Sequence, residues 1–174
     1  STTSNPLGTY YTYPVNVAFH SNDFFDYQKI GLTQDAVLFS ANIFNGNNFN
    51  GATLAVVPKA YLYNGLPIAY PRWDNLRATL TLPLVQDSNP KAYLIFDQPG
   101  SKNVGVYTLT NAAFPAYATL SAPVNVSIGV TQNYPPAANQ PGTTVTVETL
   151  DVRYPNNSVQ VGDTVYAANT INSS

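Results

Sequence analysis

Apolar and polar residues alternate with period two along most of this chain, the spacing of a strand that buries one face. Gly, Pro and Asn cut the runs at short intervals. Between Tyr10 and Phe19 the alternation sets Tyr11, Tyr13, Val15, Val17 and Phe19 on one side, opposite Tyr10, Thr12, Pro14, Asn16 and Ala18. Pro14 cannot donate a ladder hydrogen bond, so this first strand belongs at a sheet edge or beside a bulge. Further strands are predicted over 35–44, 52–63 (with an irregularity at Pro58), 76–82, 91–97, 103–110 and 124–131. Asn45 to Gly51 is rich in residues that tolerate a positive φ and reads as a loop. Asn64-Gly65 reads as a hairpin turn into a strand over 66–70. Residues 133–142 form a Pro-rich loop. Residues 143–153 show the cleanest alternation, with Val145, Val147, Thr149 and Asp151 opposite Thr144, Thr146, Glu148, Leu150 and Val152. A last hairpin turns about Gly162-Asp163. Helical periodicity nowhere lasts beyond two turns. The expected fold is all-β, a single sandwich of immunoglobulin-like or jelly-roll-like type over residues 20–174, with residues 1–19 as an N-terminal strand or tail.

Composition sharpens this picture. Of 174 residues only 9% are charged, 44% are hydrophobic, and the formal net charge is -2. That balance buries enough apolar surface to exclude a disordered chain. Seven basic side chains spread from Lys29 to Arg153 form no cationic stripe, so no nucleic-acid partner is expected. No apolar run reaches membrane-spanning length. Cys and Met are absent, which removes disulfides, thiolate chemistry and the readily oxidised side chains. Ser1 opens a polar segment with no apolar leader, as in an exported protein after removal of a signal peptide. The expected location is extracellular. With nine carboxylates and one His, few groups titrate, and the stability of the fold is expected to depend only weakly on pH.

Candidate chemistry is sparse. His20 is the only His, so a His metal cluster and a Ser-His-Asp triad both lack material, and its place in Ala18-Phe19-His20-Ser21 reads as a strand end. The close carboxylate pairs are Asp23/Asp26 and Glu148/Asp151. At i, i+3 on a strand the latter point to opposite faces, and the former read as turn caps in an aromatic turn over Asn22–Tyr27. The Asn45–Asn50 loop offers carbonyl oxygens but no carboxylate for a cation. No catalytic residue, metal or cofactor is therefore expected. Trp73, in Tyr70-Pro71-Arg72-Trp73-Asp74, reads as a core anchor or as a stacking surface for a sugar ring. Three N-glycosylation acceptors stand at Asn125, Asn156 and Asn172, each in an Asn-x-Ser triplet.

In its Tyr-, Asn- and Thr-rich, Cys-free, sequon-bearing, all-β character, and in its alternating leader, the chain resembles the subunit of the archaeal thread, a crenarchaeal cell-surface filament. The resemblance runs along the whole chain in character and rests on no catalytic motif. It implies a glycosylated, sandwich-like subunit joined head to tail to identical copies by donor-strand complementation. The leader of one subunit would fill a groove in the next, with the matching positions within Thr2–Phe19. Tyr11, Tyr13, Val15, Val17 and Phe19 are then the side chains expected at the interface. The resemblance also raises an isopeptide cross-link, for which Lys29, Lys59, Lys91 and Lys102 are the amines present.

Three functions remain open from the sequence. A filament subunit serving adhesion or biofilm formation accounts for the leader, the absence of catalytic groups and the inert composition together. A viral coat protein with a jelly-roll sandwich shares most of these features. A secreted carbohydrate-binding module would rely on Trp73 and surface Tyr.

Overall fold

The computed structural model describes residues 1–18 and 20–172. Among these residues, thirteen strands and one short helix make the fold nearly all β. One sheet is built on β1 (Asp23–Leu32), β2 (Ala36–Asn45) and β3 (Asn48–Pro58), joined antiparallel. β4 (Arg72–Leu76) pairs beyond β3, and β5 (Pro83–Val85) runs parallel to β1. β12 (Ser158–Val161) lies parallel to β5, and β13 (Thr164–Tyr166) closes that side. The other sheet has β7 (Asn103–Thr110) at its centre, with β6 (Lys91–Phe96) on one flank. Its other flank is shared end to end by β8 (Thr119–Leu120) and β9 (Val124–Ser127). β10 (Ala138–Asn139) and β11 (Thr146–Val147) form a separate ribbon.

The main core draws on both sheets: Leu38 and Leu54 of the first pack in one cluster with Leu94, Phe96, Tyr107 and Leu109 of the second. Two devices stitch the sheets at one side. The segment 79–85 first pairs Thr81 with Ile95 of β6 and then joins β1 and β12 through β5. Gln160, fully buried, acts as a surrogate strand: its Nε2 donates to Lys91 O (2.9 Å) and its Oε1 accepts from the Tyr93 amide (2.9 Å). It thereby satisfies the edge of β6 with a side chain where no backbone strand runs. Gly105 is required for a steric reason, since a Cβ there would lie 1.9 Å from Cζ of Phe96, its cross-strand partner.

The strands over 36–45, 91–96 and 103–110 and the Gly162-Asp163 hairpin match the expected alternation. Several local expectations are corrected. No strand forms over 66–70, and of 76–82 only Leu76, at the end of β4, and Thr81, in an isolated bridge, pair at all. The strand expected over 52–63 ends at Pro58 and continues as α1 (Lys59–Asn64), a helix too short to show periodicity. Asn64-Gly65 is the C-cap of that helix: Gly65 sits at φ 66° and its amide bonds Tyr61 O, so the pair that signals a hairpin here ends a helix. Asn45–Gly51 is not a loop: Gly46-Asn47 make a two-residue turn, with Gly46 at φ 57°, and residues 48–51 already belong to β3. The segment read as an aromatic turn at 22–27 opens β1, whose bulge falls at Tyr27 (φ 56°).

Two segments with strong strand patterns find no sheet of their own. Residues 10–18 form no strand, and Phe19 lies outside the described residues. From residue 143 to 150 only Thr146 and Val147 pair, in the exposed ribbon, and of the alternating side chains Val152 alone is fully buried. Alternation makes a segment suited to an edge; it does not supply the edge.

Candidate functional site

The outer face of the β6–β7–β9 sheet, on the side away from the main core, is a groove of about 450 Å³. Strand alternation builds its floor. Val104, Val106 and Thr108 of β7 stand beside Val124 and Val126 of β9 and Ile128 just beyond it. Ile95, Val104 and Tyr154 form a small second core at its base, with Val106 and Val165 packed on it. Val165 and Ala167 make the opposite wall. Among the described residues no Lys or Arg lines the groove. One end is polar: the Tyr93 hydroxyl donates to Asp163 Oδ1 (2.7 Å), and Asn89 Nδ2 reaches the same oxygen (3.1 Å). These two bonds hold the Asp163 carboxyl below the ordinary carboxylate range, while the bond to Asp163 pushes the Tyr93 phenol up. β13 is the last strand of its sheet, and β9 has no strand on its far side among the described residues. Val124, Val126 and Ile128 remain exposed. An apolar strip bounded by unpaired strand edges is a template for one more strand.

The leader is held to its own chain by side chains, not by a ladder. Tyr13 donates its hydroxyl to Tyr61 O (3.1 Å), at the helix, and the Asn16 amide donates to the Tyr70 hydroxyl (2.9 Å). Arg72 Nη1 donates to Ala18 O (2.8 Å). Tyr13, Val15 and Val17 are half-buried, Tyr11 is exposed, and Tyr11 crosses over Gly65 so closely that a Cβ there would meet its ring at 2.5 Å. The first nine residues close on themselves through Thr2 and Thr9. Tyr13 thus meets α1, and the segment ends beside Arg72 of the edge strand β4 without pairing to it as a strand.

The other singled-out residues fall as follows. His20 is exposed before β1, with Nδ1 3.5 Å from Asp23 Oδ1. Trp73 packs against the main core cluster. Asp151 pairs with Arg153, and Glu148 stands exposed on the loop. Lys29 is buried, donating to Tyr154 O (3.1 Å) and lying 4.9 Å from the Tyr27 ring centroid; burial, then the Arg153 charge, pulls its ammonium below the usual lysine range. Lys59 donates to Thr33 O (2.6 Å), while Lys91 and Lys102 are exposed. Among the described residues no group of three His, Cys, Asp or Glu is placed to hold a metal, and no helix is long and apolar enough to cross a membrane.

Asn125 and Asn156 are exposed; Asn172 is half-buried, bridged to Asn133, and the rest of its triplet lies outside the described residues. Asn125 Oδ1 accepts from Gln98 Nε2 at 2.7 Å, while its neighbours Val124 and Val126 turn into the groove. The groove itself escaped sequence reasoning, because its walls come from β6, β7, β9 and the chain's last hairpin. The one available signal was that 124–128 alternates Val and Ile with polar residues and carries no charge. The chain matches no protein-family model, no curated protein and no solved structure.

Proposed function

We propose that this chain is the structural subunit of an extracellular filament, in which the leader of one copy lies in the groove of the next. In that reading the two sheets form one sandwich whose missing outer strand comes from a neighbour. The observation that carries it is a complementarity within one molecule. A segment with strand alternation and no ladder coexists with an apolar groove, polar only at its Asp163 end and bounded by unpaired edges.

The dimensions agree. Three alternate side chains on β7 and three at β9 span about five residues, roughly 17 Å of strand. That length takes three inward side chains of a donor, which sets Tyr13, Val15 and Val17 at the centre with Tyr11 and Phe19 flanking. Their burial, at about 1.5–3 kcal/mol each, is a gross gain of several kcal/mol before the cost of association. Release from the home subunit breaks a few part-exposed hydrogen bonds, each worth about 1 kcal/mol, and gives up the half-burial of Tyr13, Val15 and Val17, so the net gain is the burial that the groove adds beyond it. Donor and groove are different surfaces, so the contact is heterologous and propagates when it does not close into a ring. Glycans at the exposed sequons would hydrate a surface poor in charge.

The test is electron microscopy and sedimentation of the full chain, with and without excess synthetic peptide covering residues 9–19. Filaments that the peptide shortens support the reading. A chain that stays monomeric at high concentration and ignores the peptide refutes it, and closed shells would favour a coat protein.

A further inference from the structure

A second, larger hollow lies on the other face of the β9 edge. It is a cleft of about 1120 Å³ between the β2–β3 hairpin end, residues 75–79 and the segment following β6. Its lining combines two chemistries. Phe44 and Phe49, with ring centroids 5.4 Å apart and planes tilted by 54°, make an apolar wall, and the exposed Tyr134 lines the same cleft. The same cleft is lined by Asp97, the Asp151–Arg153 ion pair, Asn50, Asn75 and Asn125.

Charge does not select the ligand, because two carboxylates and two guanidiniums (Arg77 and Arg153) line the same space. A wholly apolar ligand would strip water from amides and carboxylates without replacing its hydrogen bonds. A pyranose ring satisfies both halves: its C–H face packs on aromatic rings, and each hydroxyl both donates and accepts, as carboxylate and amide partners require. Asp97 strengthens the match. Burial, with a further push from Asp151, raises its carboxyl above the ordinary range, so it gains from a neutral hydroxyl donor more than a solvated carboxylate would.

We propose that this cleft is a saccharide seat, with Asn125 as the attachment point on its rim. Asn125 Oδ1 is tied by Gln98, while Nδ2, the atom a glycan joins, donates no hydrogen bond among the described residues. Attachment forms the bond from Nδ2 to the anomeric carbon of a polyprenyl-phosphate-linked oligosaccharide, breaks that carbon's bond to the phosphate oxygen, and releases the amide proton. The first sugars then start at the cleft mouth. Because Val124 and Val126 face the opposite way, a glycan here leaves the groove open. The seat stands whether or not the chain polymerises. Its sugar comes either from the chain's own Asn125 or from a saccharide outside, and the chemistry is the same.

The experiment uses the full chain in two forms, from a host that N-glycosylates and from one that does not. Each is titrated with chitobiose and mannobiose by calorimetry, and each glycan is timed for release by an amide-cleaving glycosidase. Disaccharide binding by the bare form, lost in the glycosylated form, identifies the chain's own glycan; binding by both forms identifies an outside saccharide. Slower release of the Asn125 glycan than of the Asn156 glycan supports the seat even where free disaccharides bind too weakly to measure. Phe49→Ala and Tyr134→Ala, at exposed positions, should each weaken binding at least tenfold or equalise the release rates. No disaccharide bound by either form, together with no protection at Asn125, overturns the proposal.

Discussion

Replacing Val126 by Asp separates the groove from the fold beneath it. Val126 keeps 46% of its area in water in the lone subunit, so a carboxylate there stays hydrated and the single chain should lose about 1 kcal/mol or less, mostly through strand preference. In the proposed assembly the balance is different. Covering the remaining area of Val126 is worth about 1 kcal/mol, which Asp forfeits. An incoming apolar strand would also enclose the carboxylate in a groove without Lys or Arg, a penalty of about 3 kcal/mol. The total of about 4 kcal/mol is close to a thousandfold weaker contact between copies. The Asn125-x-Ser127 triplet survives the change, so glycosylation does not confound it. Sedimentation velocity across a concentration series, beside a thermal melt of each form, reads both quantities. The expected result is a shifted assembly midpoint with a nearly unchanged melting temperature. Unaltered assembly with an intact fold would show that Val126 is not at the contact, and the groove would lose its role.

Other consequences can be checked on the same material. Gln160→Leu keeps the volume but leaves the Tyr93 amide and Lys91 carbonyl unpaired, and should cost about 3 kcal/mol in a urea melt. Asn42→Ala removes both bonds that hold Thr79 at φ 53° (Nδ2 to Thr79 Oγ1 at 2.9 Å, Thr79 amide to Oδ1 at 2.7 Å); a loss of about 2–4 kcal/mol is expected, and a loss under about 0.5 would show that the strained residue needs no anchor. In acid the two carboxyls act oppositely. Asp97, raised when folded, adds stability as pH falls through its folded value toward the ordinary one; Asp163, lowered when folded, contributes above the ordinary value and loses that contribution as pH falls through its folded one. The wild-type urea midpoint should therefore change little between neutral pH and about pH 3, Asp97→Asn should make it fall on acidification, and Asp163→Asn should make it rise.

Much of the architecture was legible in the linear pattern. β2, β6, β7 and the last hairpin follow from alternation and turn residues alone, because a half-buried strand needs little more than a period of two and a residue able to turn. Asn64-Gly65 misled for a definite reason: a left-handed residue ends a helix as readily as it turns a hairpin, and only the six-residue helix before it decides between them. The leader and residues 143–150 misled differently: their alternation is sound, but apart from Thr146 and Val147 no described strand of this chain pairs with them.

What the sequence determined by itself was the period-two pattern, the scarcity of charge and the positions of the sequons, since each is a property of single residues and their neighbours. Which alternating segments become strands, and which faces stay open, was decided in three dimensions. A strand needs an edge to pair with, and a groove needs walls that residues 93, 104, 126, 154 and 165 supply only after the chain has brought them together.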